Sequence, residues 1–311
     1  MTVLVFDIGG TRIKAGIAAG QAHVSSLRTA ETDASSPDAL IAQIQALAAE
    51  LLPGERPSAV GISVKGIVDA DRGTIVEVNA PLEKLSGEPL GHRLSEALAA
   101  PVCLDNDARM YALGELRHGA GQGAENLVCL TVGTGIGVGV VVEGQLLRGT
   151  RGVLGILGGH ITVDVNGPPC SCGSIGCLEA LIGSQGLVAE ARRQIAEHPG
   201  SSLAATDLAP EAIFAAAAKG DASASATVEH FIRVLSCGVV SLIHVYDPDV
   251  VVIGGGVGGS ASQFIERVQQ FADEHAWTQP RGRVRIAGSA LGDSAALVGV
   301  AELALEASET A

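Results

Sequence analysis

The sequence predicts an α/β protein built as two similar halves, and three observations carry that expectation. First, short apolar runs that suit strands alternate with longer helical runs along all 311 residues, a length that fits two domains. Second, one pattern occurs twice. Val3–Phe6 leads into Asp7-Ile8-Gly9-Gly10-Thr11 and out through Arg12–Ala18. Asn126–Val132 leads into Gly133-Thr134-Gly135 and out through Gly137–Val142. Each reads as strand, glycine turn, returning strand. Third, 41 glycines and 47% hydrophobic residues accompany only 3% aromatics. Such a composition calls for tight turns and a core of Val, Ile, Leu and Ala. Two such halves are expected to face each other across a cleft.

In chain order, the first hairpin is followed by a third strand near His23–Thr29. Ser36-Pro37-Asp38 then opens a helix to about Leu52, with proline just inside its start. Ala59–Val64 is a continuous apolar run and reads as a buried strand, and a hairpin follows near Gly66–Val78. Leu90–Ala99 is predicted helical. Pro101–Leu104 is a strand that ends on Asp105-Asn106-Asp107, where a helix to Arg117 begins. After the glycine-rich link 119–123 and the second hairpin, a strand is expected at His160–Val163. Helices are expected at Leu178–Glu197, Pro210–Lys219, Ala222–Tyr246, Ser260–Ala276 and Ser294–Glu306, with strands at Val250–Ile253 and Val284–Ile286. The tail Ser308–Ala311 is expected to fray.

Composition also excludes partners. The net charge of −14 offers no basic field to nucleic acid or to an acidic membrane surface. No run of about twenty apolar residues suggests a membrane span. The start, MTVLVFDIGG, lacks the basic and apolar regions of a signal peptide, so a cytoplasmic protein with six reduced cysteines is expected. Cys103, Cys129 and Cys237 sit in apolar runs and read as small core residues.

The chemistry gathers in a few stretches. Cys170, Cys172 and Cys177 fall within eight residues, interleaved with Gly173 and Gly176, which let the chain fold back. Thiolates at this spacing suit a tetrahedral Zn²⁺ site, with His160 as the nearest fourth ligand. Four protein ligands leave no open position, so the metal would be structural and would hold Glu179 in place. Three glycine turns, Gly9-Gly10-Thr11, Gly133-Thr134-Gly135 and Gly254-Gly255-Gly256, each follow an apolar strand and expose backbone N–H groups to an anion. None matches the lysine-closed phosphate loop or the dinucleotide fingerprint. Asp107, beside Asn106 at a strand-to-helix junction, is the candidate general base for phosphoryl transfer to an alcohol; its alternative reading is a helix cap. Asp7 could orient the water shell of Mg²⁺, and Lys14 could lie near the phosphates.

Together these motifs resemble the ROK family (repressors, open reading frames and kinases) of the actin-like ATPase superfamily. DIGGTRIK at Asp7–Lys14 resembles its first phosphate motif, and DNDAR at Asp105–Arg109 its sugar and base motif. TVGTGIGVG at Thr131–Gly139 resembles the second phosphate motif. GGH with CSCGSIGCLE over Gly158–Glu179 resembles the zinc signature. IGGGV at Ile253–Val257 resembles the adenosine motif, and GDSAAL at Gly292–Leu297 the closing segment. The resemblance implies two actin-like (ribonuclease H-like) α/β domains flanking a central cleft, with a zinc-bound loop in the second. The domains would be 1–118 and 119–293, with the final helix 294–306 packing back on the first and the zinc loop at 158–179. It implies an ATP-dependent sugar kinase, often dimeric, using Mg²⁺ with ATP and a structural Zn²⁺ on His160, Cys170, Cys172 and Cys177. Asp107 would be the base. Gly66, Asn79, Asn106, Asp107, His160 and Glu179 would bind the acceptor. Asp7, Gly9, Gly10, Thr11, Lys14, Gly133, Thr134, Gly135, Gly254, Gly255 and Gly256 would bind ATP.

The sequence departs from the family pattern on the acceptor side. Leu157 stands where a Glu usually precedes the zinc histidine, Lys65 where Pro is common, Leu85 where Trp is common and Arg109 where Asn is frequent. A leucine cannot accept a hydroxyl hydrogen bond, so an amino sugar or cyclitol joins ordinary hexoses as an acceptor. The alternative is a catalytically silent sugar sensor. The repressors' N-terminal winged helix is not expected here, because the sequence opens on its first strand.

Overall fold

A computed structural model describes residues 2–20, 23–198, 200–205, 207–256 and 263–310. The chain forms two compact units. The first comprises Met1–Gln122, Leu146–Gly155 and Asp293–Ala311; the second comprises Gly123–Gln145 and Ile156–Gly292. Residues 146–155 thus belong to the first unit, although the sequence division at 118/119 assigned them to the second. The physical reason is a buried arginine, described below.

The first unit is built on a five-stranded sheet. Its strands are β1 (Val3–Ile8), β2 (Arg12–Ala19), β3 (His23–Glu31), β4 (Ala59–Val64) and β7 (Val102–Asn106), in the order β3-β2-β1-β4-β7. β1 and β2 form an antiparallel hairpin in the register Val3↔Ala18 to Ile8↔Ile13. β4 runs parallel to β1, and β7 parallel to β4. All six residues of β4 are buried, as its unbroken apolar run requires of a strand covered on both faces. α1 (Pro37–Leu51) is capped by Ser36, whose side chain accepts from the Ala39 N–H. Leu40 and Ile44 of α1 join Leu90 and Leu94 of α2 (Leu90–Leu98) in a core with Leu4, Phe6 and Ile8. The hairpin of β5 (Ile67–Asp69) and β6 (Thr74–Glu77) lies between β4 and α2 in sequence.

α3 (Asp107–His118) and α9 (Ala295–Thr310) pack against each other. Glycine makes this approach possible: a Cβ on Gly299 would stand 1.8 Å from the Met110 carbonyl oxygen, and one on Gly114 2.2 Å from that of Ala295. α9 continues to Thr310, beyond the expected end at Glu306 and into the tail expected to fray.

The second unit repeats the arrangement. β8 (Leu127–Val132) and β9 (Ile136–Val142) form the hairpin, β11 (Val250–Gly254) runs parallel to β8, and β12 (Arg285–Gly288) runs parallel to β11. The order is β10-β9-β8-β11-β12, where β10 (Gln145–Leu146) is a two-residue edge strand that the sequence pattern did not reveal. The helices are α4 (Leu178–Ile182), α5 (Ser184–Glu197), α6 (Pro210–Ala218), α7 (Ala222–Tyr246) and α8 (Ile265–His275). Phe214, Phe231 and Phe264 of this unit meet edge-to-face or tilted, with centroids 5.4–6.1 Å apart.

Four expectations need correction here. His160 does not open a strand: Leu157–His160 is one 3₁₀ turn, and only Thr162 makes an isolated bridge, to Cys177. The helix expected over 178–197 breaks at Gly183 into α4 and α5. α7 is long and apolar enough to cross a bilayer by length and composition, but more than half of its most apolar window is buried, with α4, α5, α6 and α8 packed around it. Cys237 on α7 is exposed rather than a core residue; Cys129 is buried and Cys103 half-buried. Residues 257–262, where the start of the expected Ser260–Ala276 helix falls, lie outside the described residues.

Candidate active site

In the first unit, β7 delivers Asp105 and Asn106, and α3 begins at Asp107. The cap is Asn106, not Asp107. The Asn106 Oδ1 accepts from the N–H groups of Ala108 and Arg109 at 3.0 and 3.1 Å. Its Nδ2 donates to the Gly66 carbonyl at 2.8 Å and to Asp107 Oδ1 at 3.0 Å. Among the described residues, the hydrogen bonds to Asp107 go to its Oδ1, which leaves Oδ2 available. Burial raises its pKa to about 6, and the negative charge of Asp7 adds to the rise; the Ala108 N–H and the Lys65 ammonium oppose it. A carboxyl poised there can take a proton near neutral pH.

Asp7, next to last in β1, accepts from the Ser63 hydroxyl at 2.7 Å. Burial raises its pKa too, against the pull of Ser63 and Lys14. Lys14 donates to the Asp293 carbonyl at 3.0 Å. Gly9, Gly10 and Thr11 form the tip between β1 and β2. There Thr32 Oγ1 donates to the Gly9 carbonyl at 2.8 Å, and a Cβ on Gly10 would press to 2.9 Å from Pro81. Asn79 is exposed beside Ala80, whose carbonyl accepts from Lys65 Nζ at 3.4 Å. The structure therefore brings Asp7 and Asp107 within electrostatic reach of each other and ties Gly66 to Asn106.

Two of the sequence departures do not concern an acceptor at all. Leu85 is 2% exposed and belongs to the hydrophobic core. Arg109 is fully buried. Its guanidinium donates to Asp105 Oδ1 at 3.1 Å and to the carbonyls of Leu147, Arg148, Gly152 and Leu154 at 2.9–3.3 Å. Arg148 Nε reaches the other Asp105 oxygen at 2.7 Å. This network fastens residues 147–154 to the first unit, and Gly152 allows it, since a Cβ there would stand 2.2 Å from the Val68 carbonyl oxygen.

In the second unit, Gly133-Thr134-Gly135 joins β8 to β9, and Gly254-Gly255-Gly256 follows β11. The parallel pairing of β8 with β11 places the two turns side by side. Gly255 has φ +89°, and a Cβ on it would stand 2.6 Å from Val132 N and O. Thr134 and Gly256 are exposed, leaving bare backbone for an anion. Val257 of the same motif lies outside the described residues. Glu179 in the first turn of α4 accepts from the Ile136 N–H at 2.9 Å, a contact that no sequence signal indicated.

His160, Cys170, Cys172 and Cys177 converge, with one ligand atom from each lying within 4.8 Å of all the others. Cys172 Sγ lies 3.7 Å from Cys177 Sγ, and Cys170 Sγ 3.6 Å from His160 Nδ1. A tetrahedron with Zn–S bonds of about 2.3 Å has edges of about 3.8 Å, so the donor set fits zinc in both kind and spacing. Burial and the neighbouring thiols push the Cys177 thiol up to about 12, a clustering of like groups that a bound cation would relieve. Leu157 opens the turn that carries His160 and is 46% exposed; that turn bears no carboxylate.

The ROK family model matches residues 3–307. The chain belongs to the ROK family. A glucokinase of Halalkalibacterium halodurans is 32% identical over 94% of this chain and 92% of its own. An N-acetylmannosamine kinase of Salmonella typhi is 34% identical over 87% of this chain and 88% of its own. The crystal structure of a ROK glucokinase from Streptomyces griseus, in complex with glucose and AMPPNP, superposes with a TM-score of 0.84 at 30% identity, over 98% of this chain and 100% of that one.

Proposed function

We propose that this ROK protein transfers the γ-phosphoryl group of ATP to a hydroxyl of a hexose or hexose-like acceptor. It is an ATP-dependent carbohydrate kinase, and the observation that carries its chemistry is Asp107. The carboxyl sits at the first position of α3, held by Asn106 and the Ala108 N–H, with its pKa raised to about 6. At neutral pH it is mostly ionised and accepts the proton of the attacking hydroxyl. Gly66, Asn79, Asn106, His160 and Glu179 are the proposed acceptor-binding residues. Within that set Asn106 has its amide committed to Gly66 and Asp107, so it acts mainly by fixing the base.

The turns Gly9-Gly10-Thr11, Gly133-Thr134-Gly135 and Gly254-Gly255-Gly256 offer N–H groups to the nucleotide, with Lys14 as a nearby cation. Mg²⁺ bound with ATP supplies charge neutralisation for the transferring phosphoryl group. Asp7, held by Ser63, would orient its water shell. His160, Cys170, Cys172 and Cys177 hold a structural Zn²⁺. The half-exposed Leu157 favours an acceptor with apolar or altered functionality at one position, such as an amino sugar or cyclitol.

The test is Mg·ATP consumption across hexoses, amino sugars, N-acetylated sugars and cyclitols, with Asp107→Ala alongside. Turnover on one class of acceptor, reduced about 10²- to 10⁴-fold by Asp107→Ala, is expected. Acceptor-dependent turnover that survives this substitution would remove Asp107 from the role of base. Binding of a sugar without turnover on any acceptor would instead favour a silent sensor.

A further inference from the structure

α4 is a five-residue helix beside the Gly133–Gly135 turn, and the turn is held by α4 and by the start of α5. At the start of α4, Glu179 Oε2 accepts from the Ile136 N–H at 2.9 Å and lies where a Cβ on Gly135 would be only 2.5 Å away. Past its end, Ser184 donates twice to the Gly133 carbonyl, from its N–H at 3.0 Å and its hydroxyl at 2.8 Å. A Cβ on Gly183 would stand 3.2 Å from the Thr134 carbonyl oxygen. The turn is therefore gripped on one side by Glu179 of α4 and on the other by Ser184, the first residue of α5.

What fixes α4 is the cysteine loop. Cys177 is the residue just before α4, and Thr162 bridges to it across the loop. The Leu178 N–H donates to the Ile161 carbonyl at 3.0 Å, and the Leu178 side chain seats on Gly238 of α7, where a Cβ would stand 2.7 Å from it. Five residues cannot hold a helical conformation alone. α4 is instead set by the loop before it and the helix beneath it, and passes its position on to the turn.

We infer that Glu179 and Ser184 are positioning residues for the phosphate turn, so that the cysteine loop, through α4, sets nucleotide affinity even with no acceptor bound. This rests on the kinase reading, which assigns the Gly133–Gly135 turn to the nucleotide. It differs from a role for Glu179 confined to the acceptor: one carboxylate oxygen is committed to the backbone amide of Ile136, which directly follows the turn.

The experiment is calorimetric titration of the zinc-loaded full chain with ADP, without acceptor. Glu179→Ala and Ser184→Ala are each expected to weaken ADP binding about 5- to 10-fold, the scale of a lost or orphaned hydrogen bond. Glu179→Gln keeps an oxygen for the Ile136 N–H and is expected to stay within about twofold of wild type. Zinc content, measured in parallel, is expected to be the same in all four proteins. If Glu179→Ala fails to fold, Ser184→Ala carries the test, since it touches neither the cysteines nor the acceptor. Unchanged ADP affinity in the alanine variants, with wild type binding ADP, overturns this inference and leaves the kinase reading standing. Wild-type protein that binds no ADP overturns both.

Discussion

The Asp107 centre and the cysteine loop are both polar sites set on α/β units, but they are held by opposite means. Asp107 stands at a strand-to-helix junction whose donors and acceptors answer one another: Asn106 caps α3, Asp105 receives two arginines, and Ser63 holds Asp7. The cysteine loop has backbone hydrogen bonds of its own, such as Val163 N–H to Gly176 and Cys170 N–H to Ser174, but its four converging side chains do not answer one another as donor and acceptor in this way. Between His160 and Cys177 the backbone forms turns and isolated bridges, and three thiols with one imidazole face a common point. The first centre is organised by hydrogen bonds internal to the chain. The second has a donor set whose mutual attraction needs a cation.

The largest expected effect comes from breaking the second means of support. Structural zinc sites in small domains contribute on the order of 10 kcal/mol or more of binding energy that is also folding energy. Removing zinc with a strong chelator, or replacing Cys177 with Ser, is expected to open residues 160–177 to protease while the first unit stays protected. Hydrogen exchange resolved by segment would check it. Equal loss of protection in both units, or none in either, would count against a metal-held loop.

The contrast also explains what the sequence revealed. The two hairpins were legible because β-branched runs and glycine tips are local signals, and the cysteine spacing because metal ligation constrains few residues tightly. His160 was misread as the start of a strand because Ile161-Thr162-Val163 has strong strand propensity; its neighbours offer no ladder to join, and tertiary context decides. Arg109 looked like a changed acceptor contact, since its partners at 147–154 lie about forty residues away and no periodicity announces them. The Glu179 bond to the Ile136 N–H was hidden for the same reason.

Breaking the first means of support gives the next effect. Arg109→Met would leave the buried Asp105 carboxylate short of one partner and take a donor from the four carbonyls that the guanidinium now serves. A loss of about 3–5 kcal/mol is expected in urea unfolding of the first unit. Arg148→Ala is expected to cost less, because that side chain is 33% exposed and Arg109 remains. The loss in Arg109→Met should be the same with or without zinc. Dependence on the metal would mean that the two centres are not separately supported.

The smallest effect separates chemistry from stability at one atom. Asp107 has its pKa raised from 3.8 to about 6 in the folded protein. Above pH 6 both folded and unfolded chains carry the charge, and the folded chain bears the unfavourable burial. As pH falls from 6 towards 4, the folded chain takes up a proton that the unfolded chain does not, and the penalty fades. Asp107→Asn is therefore expected to be more stable than wild type at pH 7–8, by at most about 3 kcal/mol at about 1.4 kcal/mol per pKa unit. The difference should shrink below pH 6 and vanish near pH 4. Over the same range, wild-type kcat/KM should fall as pH drops through about 6, because the base becomes protonated. A stability gain that does not change with pH would place the cause in packing rather than charge. A gain that tracks the acid limb of the rate profile would show that the charge which removes the hydroxyl proton is the one the fold is strained to hold.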